Sequence, residues 1–184
     1  RFIALNEVGG DPASFGIELE DFHAANAARA TQWPHTLLAT ATHDTKRGED
    51  SRARLAVLAE LPEEWASEVR EWRRLLGRTD DDTPPDGVEE LYLYQSLVGA
   101  WPPEFCAAEP REDDLHAFAE RLKTALVKAM REGKEHSTWG APNERYEASL
   151  LALVDAALGP NGTEFRARFA RFVRSVARLG VDNS

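Results

Sequence analysis

Three side chains of unlike chemistry, the imidazole of His43, the carboxylate of Asp44 and the ammonium of Lys46, lie almost side by side in Thr40-Ala41-Thr42-His43-Asp44-Thr45-Lys46-Arg47. A carboxylate flanked in this way suits a polar, uncharged substrate. The nearby cation favours the ionised form, so Asp44 is expected to act as an acceptor or charge stabiliser and not as an acid. The same residues have a structural use, because Asp44 or Thr45 could cap a following helix. A His-Asp pair does not by its spacing separate the two readings.

The elements that would hold this cluster can be read outward from it. His35-Thr36-Leu37-Leu38-Ala39-Thr40-Ala41 is a short apolar run bounded by Pro34, the pattern of a buried parallel strand. Polar side chains at the C-terminal end of such a strand are where parallel α/β folds present their catalytic groups. Phe2-Ile3-Ala4-Leu5 reads as the end of another strand, broken by Asn6-Glu7-Val8-Gly9-Gly10-Asp11-Pro12. The glycine spacing there fits neither a P-loop nor a dinucleotide fingerprint, so the loop is either a site lining or a turn with positive φ at Gly9 or Gly10. Leu19, Phe22, Ala27 and Ala30 recur at helical spacing up to Trp33-Pro34. The first 41 residues therefore predict one β-α-β unit.

After the cluster the signals are helical to the end. Leu55, Leu58 and Leu61 mark one helix, and Pro62-Glu63-Glu64 opens the next, striped by Trp65, Val69, Trp72 and Leu76. The linker from Gly77 to Gly87 carries Asp80, Asp81 and Asp82, which lack the ligand spacing of an EF-hand. Val88, Leu91, Tyr92, Gln95 and Val98 mark another helix, and Leu115, Phe118, Leu122, Leu126 and Ala129 a longer one. His136 and Trp139 sit in a polar break, where the pair could touch a ligand, but a helix-terminal His136 beside a buried Trp139 is expected to serve packing and capping. Asn143 should cap a helix through Leu158 and Thr163 a last one, with Phe165, Phe169, Phe172, Val176 and Leu179 inward.

Composition sets the outer bounds. With 184 residues the chain can bury a real core but is short for a complete (β/α)8 barrel of about 250 residues. It begins at Arg1 and stops at Ser184, and is expected to be a piece of a longer protein. A formal charge of −10 opposes binding of nucleic acid or an anionic membrane. One cysteine, Cys106, allows no disulfide within the chain. No run near 18 apolar residues and no leader pattern is present, so the expected setting is cytoplasmic.

Taken together, four runs resemble the maltooligosyltrehalose synthases, a family of the α-amylase superfamily. They are Ala4 to Pro12, Thr42-His43-Asp44-Thr45-Lys46-Arg47-Gly48-Glu49-Asp50-Ser51-Arg52, Leu93-Tyr94-Gln95-Ser96-Leu97-Val98-Gly99-Ala100-Trp101-Pro102, and Lys128 to Glu147. The resemblance implies a mainly α chain: about two strands of a (β/α)8 barrel in residues 1–51, then a helical insertion domain in 52–184. It implies Asp44 as the third catalytic carboxylate, His43 as a sugar-binding imidazole and Lys46 as a substrate-binding residue at the reducing end. The substrate would be a maltooligosaccharide whose reducing-end α-1,4 linkage becomes α,α-1,1, with no metal or organic cofactor. The other partner would be the rest of the catalytic barrel.

The family's nucleophilic Asp and general-acid Glu would lie upstream of Arg1. Retaining glycosyl transfer needs two carboxyl groups about 5 Å apart, so the chain by itself is expected to be inactive. Two other readings stay open: an α-glucan hydrolase of the same superfamily, and a non-catalytic helical interaction module. The Lys46-Arg47 extension and the Asn6 to Pro12 run favour the synthase over the hydrolase.

Overall fold

The computed structural model describes residues 3–5, 7–14, 16–79 and 83–184. Among them the regular elements are all helical: a 3-10 turn at Ile3–Leu5, then α1 (Leu19–Gln32), α2 (Glu49–Glu60), α3 (Pro62–Leu75), α4 (Gly87–Ala100), α5 (Pro103–Ala107), α6 (Glu112–Gly133), α7 (Glu144–Leu158), a second 3-10 turn at Pro160–Gly162, and α8 (Thr163–Asn183). No described helix is long and apolar enough to cross a membrane.

The chain is mainly helical, as expected, but the two expected strands are not formed among the described residues. Ile3–Leu5 coils into its 3-10 turn, and residues 36–41 are irregular, with Leu37 97% exposed. Backbone N–H and C=O groups of a strand need a neighbouring strand, and no such neighbour lies beside this segment among the described residues. Phe2, from the first expected strand, and the aspartates 80–82 lie outside the described residues. α1 forms where its periodicity predicts, yet none of its residues is buried, and Leu19 and Phe22 face outward.

The core lies in α2 to α8. α8 is its spine, packing on α2 and also on α3, α5 and α7. Trp72 on α3 is fully buried at the centre, with ring centroids 4.7 Å from Phe169, 5.3 Å from Phe172 and 5.5 Å from both Trp65 and Tyr94. The Trp65–Trp72 stripe is therefore packing, as its spacing predicts. The local grammar of α3 explains its bounds: Pro62 occupies the first turn, Glu63 and Glu64 face the positive end of the helix dipole, and Arg73 and Arg74 the negative end. The Asn143 carboxamide caps α7 by accepting from the Tyr146 amide at 3.2 Å.

Three local readings differ, one of them Leu179, expected to face inward on α8 but 44% exposed. α4 buries Leu93, Tyr94, Leu97 and Val98 while Val88 is exposed, because α4 is apolar on most sides and its periodicity does not choose a face. Gly162, not Thr163, stands at the N-terminus of α8, and the Thr163 hydroxyl donates to the Pro160 carbonyl instead.

One buried acid locks the linker to this core. Glu90 on α4 is 1% exposed and accepts from the Tyr94 hydroxyl at 2.6 Å, while Arg78 and Arg73 approach its carboxylate at 3.2 and 3.4 Å. Arg78 also donates to the Thr83 carbonyl, so the described ends of the linker meet beside the acid. Burial and the hydrogen bond to Glu90 both push the Tyr94 phenol well above its ordinary range.

Candidate functional site

Residues 42–48 form a compact loop held by its own threonines. The Thr42 amide donates to the Thr45 hydroxyl at 2.8 Å, the Thr45 amide to the Thr42 carbonyl at 3.2 Å, and the Asp44 amide to the Thr42 hydroxyl at 3.3 Å. Neither Asp44 nor Thr45 caps a helix, since α2 starts at Glu49 behind Gly48. The capping use of the cluster is thereby removed. The loop leaves His43 and Asp44 beside each other, Nε2 to Oδ2 3.3 Å, with their side chains 90% and 63% exposed.

The loop is pinned from three sides. The Lys46 amide donates to the Glu7 carboxylate at 2.9 Å, which joins the Asn6 to Pro12 run to the cluster. The Glu7 carboxylate also accepts from Val8, and its carbonyl from Gly10, closing a turn in which Gly9 has φ +75°, a conformation that favours glycine. The Lys46 ammonium sits 3.6 Å from Glu132 in the last turn of α6. Arg47 reaches α4, donating to the Tyr92 hydroxyl at 3.1 Å with its guanidinium 5.6 Å from that ring's centre. Arg52 donates to the Thr40 carbonyl. Exposed ion pairs such as Lys46–Glu132 stabilise little, so the main-chain bond to Glu7 does most of the fixing.

Two amides, Lys46 first and Val8 second, hold the Glu7 carboxyl below its ordinary range, with burial opposing and Arg52 and Arg47 assisting. A carboxylate at Glu7 thus stays charged where the loop needs an acceptor. The sequence marked Asn6 to Pro12 as a possible site lining, but no spacing rule pointed to Glu7 itself. Among the described residues no group of His, Cys, Asp and Glu is arranged to hold a metal ion.

A second polar cluster lies between α6 and α7. His136 and Asp86 meet at 2.7 Å, and the imidazole stacks on Tyr146 with centroids 4.2 Å apart at 17°. The Tyr146 hydroxyl in turn accepts from the Asp86 amide at 3.0 Å. Asp86 caps α4 through the amides of Val88 and Glu89. Burial would raise its carboxyl; the Glu89 amide, the His136 ring and the Val88 amide outweigh this and keep it low. His136 thus serves packing, as expected, while the capping falls to Asp86, whose carboxylate the imidazole holds. Trp139 differs from expectation: it is 60% exposed, with the Arg131 guanidinium over the ring 5.0 Å from its centre.

A mainly helical body preceded by an exposed His-Asp loop is the architecture of one segment of the maltooligosyl trehalose synthases, and the resemblance carried by the four sequence runs is borne out. A protein of Mycobacterium tuberculosis (strain H37Rv), provisionally named a maltooligosyl trehalose synthase, is 37% identical over 166 residues, which are 89% of this chain and 20% of that protein. The crystal structure of a hypothetical maltooligosyl trehalose synthase of Sulfolobus tokodaii superposes with a TM-score of 0.80 at 34% identity, covering 97% of this chain and 23% of that one. Maltooligosyltrehalose synthase of Arthrobacter ramosus gives 0.78 at 35%, covering 99% and 21%. The chain therefore spans about a fifth of the length of the relatives it matches. No family model matches it.

Proposed function

We propose that the whole protein rearranges the reducing-end α-1,4 linkage of a maltooligosaccharide into an α,α-1,1 linkage, giving a non-reducing maltooligosyltrehalose. The observation that carries this is the loop 42–47, whose His43 and Asp44 are presented to solvent while Glu7 fixes its main chain at Lys46. The match to synthases along nearly the whole chain supports the same reading.

Transfer would run through a covalent glucosyl-enzyme formed by an Asp and a Glu outside this chain, so the chain alone is inactive. Asp44 accepts hydrogen bonds from hydroxyls of the distorted sugar and stabilises the oxocarbenium-like transition state, with His43 as a neighbouring donor. Lys46 orients the released glucose so that its anomeric hydroxyl, not water, attacks the intermediate. No metal or organic cofactor enters this scheme. The setting is cytoplasmic.

Residues 1–51 would then complete part of a (β/α)8 barrel, with 52–184 as a helical insertion. The exposure of Ile17, Leu19, Phe22, Trp33, Leu37 and Leu38 supports this, since the rest of the barrel would cover them and supply strand partners for residues 36–41.

A reducing-end assay on maltopentaose, with the full-length protein and its Asp44→Asn variant, tests the proposal. Loss of reducing ends with the wild type, abolished by the substitution, is the expected result. A gain of reducing ends would make the protein a hydrolase, and no change with the wild type would leave the interaction-module reading.

A further inference from the structure

Trp139 stands at the tip of the loop between α6 and α7, and the loop beneath it is unusually well fixed. Ser137, 2% exposed, donates its hydroxyl to the Glu147 carboxylate and accepts the Asn143 amide at 2.9 Å. Glu147, 6% exposed, takes the Arg131 guanidinium on both oxygens at 2.7 Å. The Thr138 hydroxyl accepts the Ala141 amide at 2.9 Å and closes the tip. At the near end, Lys134 takes a left-handed conformation with φ +60° and ends α6. A buried polar network of this kind is costly unless every member is satisfied, and here it holds rigid a loop whose outermost side chain is an indole in water.

The indole also has a cation set against it. Arg131 lies over it at 5.0 Å, and the same guanidinium is tied to Glu147, so ring and cation are held together. The open face offers a rigid apolar plane with few rotamers to lose, which is how aromatic side chains give contact area at low entropic cost.

What fits such a plane is a ring with one apolar face and a polar rim. A nucleobase would stack equally well, but a chain carrying −10 repels the phosphates that come with it. A neutral pyranose has axial C–H groups for the plane and hydroxyls for the Arg131 guanidinium beside it. Arg131 and Glu132 are consecutive in the last turn of α6, one against Trp139 and the other 3.6 Å from Lys46, so the indole and the loop 42–47 flank the same helix end.

We infer that Trp139, backed by Arg131, is a stacking platform for a glucose ring of the bound maltooligosaccharide, on the non-reducing side of the units handled by His43, Asp44 and Lys46, and that it sets the preference for longer chains. This rests on the synthase reading for the identity of the sugar. Trp139 is a binding residue and takes no part in bond making.

The test uses the full-length protein. Hydroxyl-radical footprinting reads whether maltoheptaose protects Trp139 from oxidation, and steady-state kinetics compares maltotriose with maltoheptaose for the wild type, Trp139→Ala and Trp139→Phe. We expect protection by maltoheptaose, and a KM for maltoheptaose raised about 3- to 10-fold by Trp139→Ala, largely restored by Trp139→Phe. The KM for maltotriose should change much less. A Trp139 already shielded without sugar would overturn the inference, since a neighbouring part of the protein would then cover it. Unchanged protection, or equal KM changes for both sugars, would overturn it as well. If the wild type protects Trp139 with maltoheptaose but consumes no reducing ends, the platform stands and the synthase reading fails.

Discussion

The main-chain amide of Lys46 donates to the carboxylate of Glu7 at 2.9 Å, across 39 residues of chain. This bond joins two runs that no local pattern connects, and it fixes the loop that presents His43 and Asp44. Because the acceptor is a carboxylate, the bond is charge-assisted and stronger than one to a neutral oxygen.

Glu7 should therefore make the loop sensitive to acid. Its carboxyl is held below the ordinary range of about 4.5, chiefly by the Lys46 amide. A depressed carboxyl contributes support that is fully present above its ordinary value and is lost as pH falls through the lower, folded value. The Lys46 amide proton, followed by NMR, should lose its downfield shift over that acidic window. In Glu7→Ala it should be insensitive to pH, whereas Glu7→Gln keeps an acceptor and holds the loop. An unchanged Lys46 amide in Glu7→Ala would show that the loop is fixed elsewhere.

Glu147 is the corresponding acid of the second cluster. Its carboxyl is lowered first by Arg131, then by Ser137, against the opposing effect of burial. Its support has the same sign: present above the ordinary carboxylate value and lost on acidification through the folded one. Arg131→Met leaves the Glu147 carboxylate without its cation and should loosen the loop at neutral pH. Hydrogen exchange by mass spectrometry should show α7 and residues 134–142 opening together in this variant. Loss confined to Arg131 itself would mean that Ser137 suffices to hold the loop.

How much of this was legible beforehand depended on where the partners lie. Helices with local grammar were readable: Pro62 with two acids behind it, Asn143 ahead of Tyr146, the Trp65–Trp72 stripe. The segment 36–41 has the apolar content of a strand, but a strand is completed by neighbours, and Leu37 and Leu38 are left exposed where none is present. The cluster His43-Asp44-Lys46 was visible as chemistry, while its anchor was not, since Glu7 is one acid among 32 and only the folded chain brings it to Lys46. From sequence Trp139 reads as buried, since tryptophans are highly buried on average, yet it faces solvent. What decides its exposure is the buried Ser137–Glu147–Arg131 network, and that is a tertiary arrangement without a sequence period.

Trp72 gives the sharpest test of the core. It is fully buried and touches rings from α3, α4 and α8, so removing it should loosen all three helices at once. Trp72→Ala deletes one of the largest side chains of the cluster, and such truncations cost roughly 3–5 kcal/mol, from lost burial and the cavity left behind. The indole Nε1, however, finds no acceptor among the described residues, and a buried unpaired donor itself costs about 1–3 kcal/mol. Trp72→Phe removes that donor while keeping a ring for Phe169 and Tyr94 to pack on. It should therefore cost well under half as much as Trp72→Ala. Hydrogen exchange of α3, α4 and α8 amides in the full-length protein measures both losses on one scale. Equal losses for the two variants would mean that the indole N–H has a partner in the whole protein, and that shape alone does not set the contribution of Trp72.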